Sequence, residues 1–215
     1  MNVLASQASK KLSELQPQHL SNMAWAFAKI QYMEANFFAG ICKQSLKQID
    51  QFGAQNLGNL AWALAKLLIE DAVLMMAISR TACQKMQSCG HQEIGNIAWA
   101  FATLSIRDLP LLDVIAVEAI QRITHFNVQG MANTAWALAK VSYQNMPFFH
   151  CIAANAMATM SSWDPQAIAN LSWAYATISF LHDPLMVAVS QRAVMVITEF
   201  TPQNLSNTIW AYATL

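Results

Sequence analysis

Charge is scarce in this chain. Asp, Glu, Lys and Arg make up 11% of its 215 residues, and 12 basic side chains are balanced by 12 acidic ones. That balance excludes nucleic-acid binding through a general basic excess, so any cationic patch has to come from arrangement. Most of the wetted surface must be supplied by Gln, Asn, Ser and Thr. Cysteine is also rare. Cys42, Cys83, Cys89 and Cys151 are too few for a disulfide scaffold and fit a reducing compartment. Cys83-x5-Cys89 with His91 lacks a fourth ligand at metal-site spacing, and no metal or other cofactor is expected. Six glycines form no phosphate-binding loop, and neither a nucleophile elbow nor a recurring carboxylate pair is present, so an enzyme is not expected. No long apolar run exists either: residues 141–163 carry no charge, yet Gln144, Asn145, Pro147, His150 and Asn155 interrupt them, which excludes a spanning helix there. The first residues offer no signal-peptide core.

What is abundant is apolar content, 55% of the chain, which excludes intrinsic disorder. It is organised as a repeat. Trp25, Trp62, Trp99, Trp136, Trp173 and Trp210 follow one another at a constant spacing of 37. Seven residues before each stands Gln (Gln18, Gln55, Gln92, Gln129, Gln166, Gln203), and three before stands Asn (Asn22, Asn59, Asn96, Asn133, Asn170, Asn207). Alanines occupy the first and third positions after each Trp. Such identity marks a tandem array.

Each copy reads as two helices. The first begins at a cap formed by Asp164 or Thr201, each followed by Pro; Gln16, Gly53, Gly90 and Asn127 are weaker caps at the same phase. An apolar residue before the cap (Leu15, Phe52, Cys89, Phe126, Trp163, Phe200) and another five positions on form a hydrophobic staple, which accounts for Trp163, the seventh tryptophan. Pro110, Pro147 and Pro184 mark the start of the second helix. On the first helix of the first copy, Leu20, Met23, Phe27 and Ile30 are expected to face the core. Two helices per copy cannot bury both faces alone, so the expected architecture is all-α, an α-solenoid of tandem 37-residue helix-turn-helix repeats. The repeats span about 16–52, 53–89, 90–126, 127–163 and 164–200 within a single array, 1–215. Residues 1–15 are expected to be the second helix of a truncated copy and 201–215 the first helix of another, so the chain is expected to be a piece of a longer protein.

Opposite the core face, Gln, Asn and Trp form a stripe joined by Lys29, Lys66 and Lys140, with Thr103, Thr177 and Thr214 at that position in the other copies. The Trp rings either pack between neighbouring repeats or stack on bases; the amides either bond along the stack or reach base edges and phosphates. The lysines are candidates for phosphate contact. The position six before each Trp varies most, with His19, Asn56, Glu93 and Asn204 as candidate base-selecting residues beside Gly130 and Ala167. It is either a reader or a variable surface site.

The motif Gln-x-Leu-Ser-Asn-x-x-Trp-Ala-Phe-Ala-Lys, at Gln18–Lys29 and in related form at Gln55–Lys66, resembles the octotricopeptide and heptatricopeptide repeats of organellar RNA-binding proteins. Those arrays are related to helical repeats that precede RAP domains and to FAST-kinase-like proteins. The resemblance implies binding of single-stranded RNA, a transcript or ribosomal RNA, in a mitochondrion or chloroplast, with effects on RNA processing, stability, maturation or translation. The alternative is a protein-protein interaction scaffold, such as a structural element of an organellar ribosome or another assembly. No membrane partner is expected.

Overall fold

A computed structural model describes residues 2–215. Among them are twelve α-helices and no strand, arranged as stacked helix-turn-helix repeats: an all-α solenoid. Contacts group the chain into two compact units, residues 1–111 and 112–215.

In the first unit, α2 (Pro17–Lys29), α4 (Ala54–Lys66) and α6 (His91–Thr103) are the first helices of their repeats, and α3 (Ala35–Lys47) and α5 (Ala72–Lys85) are second helices. The first helices lie closely side by side, α2 on α4 and α4 on α6, while α3 and α5 touch more sparingly. Small residues allow that approach: Ser21 is fully buried, and a Cβ added to Gly58 would sit 3.4 Å from the Glu93 Cα. Helix α1 (Asn2–Ser9) packs on α3 as α3 packs on α5. The next helix, α7 (Leu109–Gln121), carries the boundary between the units. In the second unit α8 (Val128–Lys140), α10 (Pro165–Thr177) and α12 (Pro202–Thr214) form the first-helix layer, with α9 (Met146–Thr159) and α11 (Asp183–Met195) as second helices.

Each second helix, and α1 likewise, leads into a turn of 3-10 helix at the same phase, for example Ile49–Gln51, Met86–Ser88 and Met160–Ser162. The staple residue then follows in an extended conformation and is buried at Phe52, Cys89, Phe126 and Trp163. Trp163 is completely enclosed and donates from Nε1 to Thr159 Oγ1 at 3.1 Å. Side chains from later in the array hold staple carbonyls: Gln48 Nε2 donates to Leu15 O at 2.9 Å, Lys85 Nζ to Phe52 O at 2.8 Å, and Arg192 Nε to Trp163 O at 3.0 Å.

Asp164 and Thr201 cap their helices as expected, accepting from Ala167 N at 2.8 Å and Asn204 N at 3.2 Å. Asn127 is not a weaker cap: its Oδ1 accepts from Gly130 N at 2.7 Å, because the Asn amide oxygen reaches that N–H as a carboxylate does. The core expectation for α2 needs two corrections. Leu20 and Phe27 are buried, but Ile30 is 55% exposed because the helix ends at Lys29 and Ile30 is its C-cap. Met23 is only half-buried, although Leu60 and Ile97 at the same phase are fully buried, because no first helix packs on that side of α2.

The turn between the two helices of each repeat is one structure used five times. Gln31, Leu68, Ser105, Ser142 and Ser179 all take positive φ, between 54° and 57°. At the first, Gln31 N donates to Ala28 O and Tyr32 N to Phe27 O, both at 3.0 Å, the paired bonds of a Schellman motif. Its usual apolar contact is supplied by the Tyr32 and Phe27 rings, 5.3 Å apart. The second helices then start at Glu34, Asp71, Asp108, Asn145 and His182, every one of which accepts from the backbone of the first turn. The prolines expected at second-helix starts, Pro110, Pro147 and Pro184, occupy that first turn. These turns and caps set the angle at which every first helix presents its outer face.

Candidate nucleic-acid interface

On a first helix the Gln, Asn, Trp and Lys positions are separated by four, three and four residues, so they share one face. Close packing of the first helices brings equivalent side chains into line. Trp25 and Trp62 have ring centroids 6.3 Å apart, and Trp62 and Trp99 6.2 Å. In the second unit Trp136 and Trp173 are 5.9 Å apart and Trp173 and Trp210 6.3 Å. Interplanar angles of 30° to 40° make these tilted, partly stacked pairs. The internal rings are half-buried, whereas Trp25 and Trp210 are 39% and 45% exposed. Each ring therefore packs on its neighbour, as the first of the two readings expects, and keeps an edge in water.

The six Gln residues are exposed; Asn22 is exposed and the other five stripe asparagines are half-buried. In the second unit the amides bond to one another across helices. Asn204 Nδ2 donates to Gln166 Oε1 at 3.2 Å, Gln166 Nε2 to Asn170 Oδ1 at 2.9 Å, and Asn170 Nδ2 to Asn133 Oδ1 at 3.3 Å. This chain joins α12, α10 and α8. Burial of the Asn row follows from the tight helix spacing; exposure of the Gln row follows from its place in the first turn.

Lys29, Lys66 and Lys140 are exposed. Lys29 Nζ stands 5.2 Å from the Trp25 ring centroid, a cation–π arrangement. Among the described residues no carboxylate lies within ion-pairing distance of these lysines. Three other basic side chains are engaged away from the stripe: Arg80 pairs with Asp50 at 3.6 Å, Arg122 with Glu118 at 3.2 Å, and Lys85 donates to two carbonyls. The Lys29 head thus sits over the end of the aromatic row.

The variable position six before each Trp lies in the first turn beside the cap, and on α4, α6 and α12 it also meets the preceding first helix. His19 Nδ1 accepts from Gln16 N at 3.3 Å, and Asn56 Oδ1 from Gly53 N at 3.2 Å while its Nδ2 donates to Ser21 Oγ at 3.2 Å. Asn204 is buried, with Oδ1 accepting from Thr201 N at 3.1 Å. Glu93 lies over Gly58. His19 alone of these four is exposed.

Sequence reasoning missed one element of this surface. Asp164, identified only as a cap, also lines a groove of about 240 Å³ between α8 and α10, with Gln129, Asn133, Gln166 and Asn170. The signal was available: Asp164 is the sole carboxylate among the six first-helix caps. Among the described residues no group of three His, Cys, Asp or Glu side chains is placed to hold a metal ion, and no helix is long and apolar enough to cross a membrane.

Comparison with protein families gives a match over residues 3–215 to the family described as RNA-editing substrate-binding complex 6 protein. Comparison with curated proteins gives no match.

Proposed function

The chain belongs to the RNA-editing substrate-binding complex 6 protein family, and from that membership we propose that it is an RNA-binding helical-repeat component of an RNA-editing assembly, acting by binding and not by catalysis. The observation that carries this reading is the aromatic row flanked by exposed glutamines and by lysines free of carboxylates, all on one face of the first helices. Single-stranded RNA is the ligand that suits it. Bases meet ring edges and amide groups, phosphates meet lysines, and the modest number of cations keeps the contact local. Selectivity for particular sequences, an organellar transcript or ribosomal RNA as target, and a mitochondrial or chloroplast setting belong to the proposal through the repeat resemblance. So does kinship with the octotricopeptide and heptatricopeptide repeats.

The test is binding of a random single-stranded RNA pool at two salt concentrations. Enrichment with affinity falling as salt rises is expected, since phosphate contacts release counterions. Absence of binding, or binding indifferent to salt, overturns the reading.

A protein-scaffold role is favoured by a separate observation. Second helices expose apolar side chains, Val73 and Met76 on α5 and Val187 and Val194 on α11, each more than half exposed. Those helices lie away from the stripe, so protein contacts there would leave it free.

A further inference from the structure

The second helices carry one exposed phase whose residue changes from copy to copy: Ala39 on α3, Met76 on α5, Asp113 on α7, His150 on α9 and Val187 on α11. Ala39 is the smallest of them. At the α9–α11 joint the residues around this phase close on one another. His150 meets Phe180 edge-on with ring centroids 4.9 Å apart, and His182, the cap of α11, stands 6.0 Å from His150 and 5.9 Å from Phe180. At the α3–α5 joint the same three phases hold Ala39, Ile69 and Asp71. They bring no ring, and a groove of about 360 Å³ opens between the two helices, within the range of ligand pockets.

The groove has an apolar floor and an anionic rim. Phe38 and Cys42 are buried beneath it, and Met33 and Val73, each more than half exposed, stand at its sides. Among the described residues that line it are two carboxylates, Glu70 and Asp71, and no cation. Asp71 Oδ1 accepts from Leu74 N at 3.0 Å as the cap of α5. Glu70 is exposed, and among the described residues no basic side chain lies within ion-pairing distance of it. A nucleic acid would bring phosphate to this rim, and the carboxylates repel it. A protein segment can bring an aromatic ring, which leaves water in the groove, and beside it a lysine or arginine whose head stays at the rim. His150 shows the ring half of that match, since it fills the equivalent phase at α9.

We infer that the groove between α3 and α5 is a docking site for a segment of a partner protein in which an aromatic side chain is flanked by Lys or Arg, the ring entering beside Ala39 and the cation meeting Glu70. The inference rests on the protein-scaffold reading above, names one partner site within it, and leaves the stripe free.

The test selects a displayed library of random dodecapeptides on the full chain and titrates the enriched peptides, resynthesised with a fluorescent label, by anisotropy. Enrichment of an aromatic residue with Lys or Arg beside it is expected. Ala39→Met and Ala39→His place in the groove the residues that α5 and α9 carry at that phase. Both should weaken binding about tenfold, the loss of one buried ring, and Glu70→Gln about threefold at low salt, as an exposed ion pair would. All three positions are exposed, so melting temperatures should stay native. Enriched peptides without the aromatic–basic pattern, or binding that both Ala39 variants retain, overturns the groove and leaves a scaffold surface elsewhere standing. Displacement of a bound peptide by oligouridine overturns it as well, since the rim is then no barrier to phosphate. A library that enriches no peptide overturns the groove and the protein-scaffold reading together.

Discussion

Trp62 stacks on Trp99 with ring centroids 6.2 Å apart and planes inclined by 30°, and on its other side it meets Trp25 at 6.3 Å. Such a ring has two aromatic partners and only partial burial. Trp62→Ala should therefore cost roughly 1.5–3 kcal/mol, below the range for emptying a fully enclosed site, and Trp25→Ala, with one partner, about half of that. Urea denaturation of the two variants checks the order. Equal losses would mean that the row contributes little and that burial alone sets the cost.

The lysines should separate stability from binding. Replacing Lys29, Lys66 and Lys140 together by Thr introduces a residue already present at that phase as Thr103, Thr177 and Thr214. Melting should change little. The slope of log affinity for single-stranded RNA against log salt should shrink by about 2, at about 0.7 for each phosphate left without its lysine. An unchanged slope would put the phosphate-binding groups on another face.

The five inter-helix turns contain removable strain. Leu68 and Ser142 hold φ at 54° with an ordinary side chain, where glycine is the residue normally found. Leu68→Gly and Ser142→Gly should each stabilise by about 0.5–1 kcal/mol, net of glycine's greater freedom in the unfolded chain. Leu68 is the cleaner case, since its side chain is 68% exposed and gives up little packing. Thermal melts should show an upward shift.

Alkaline stability should report Cys42. Burial, and then the nearby Asp71 carboxylate, push its thiol from 9.0 up to about 12. The folded state thus holds this proton more tightly than the unfolded state does. The contribution is complete below pH 9 and is lost as pH rises toward 12, at about 1.4 kcal/mol per pH unit at most. Cys42→Ala should flatten the stability profile between pH 9 and pH 12 and leave its shape below pH 8 unchanged. Chemical denaturation at pH 8 and pH 10.5 measures the difference.

The repeat, its helices and the stripe were legible because every copy meets nearly the same surroundings, so Trp25 and its five equivalents answer one physical demand and share one identity. The inter-helix turns were not. Gln31, Leu68 and the three serines adopt a conformation usually marked by glycine, and nothing in their side chains signals it; the backbone bonds of the Schellman motif and the packing of residues such as Phe27 and Tyr32 impose it. The second-helix caps escaped notice for a related reason: Glu34, Asp71, Asp108, Asn145 and His182 do one task with four residue types. The variable position was visible as variation, but what it does depends on the neighbouring helix. Asn56 acts on Ser21 across 35 residues of sequence.

Indole rings held about 6 Å apart in a row are also coupled chromophores. Their excited states mix, so each unit should show an exciton couplet in its circular dichroism, and excitation should hop along the row and depolarise the emission. Within each unit the end rings, Trp25 and Trp99 in one and Trp136 and Trp210 in the other, contribute one coupling each and the middle ring, Trp62 or Trp173, two. Fraying of a terminal helix would therefore change the spectrum differently from melting of a whole unit. A ligand base that wedged between rings would change it differently again, giving the array an optical readout of its own continuity without any added label.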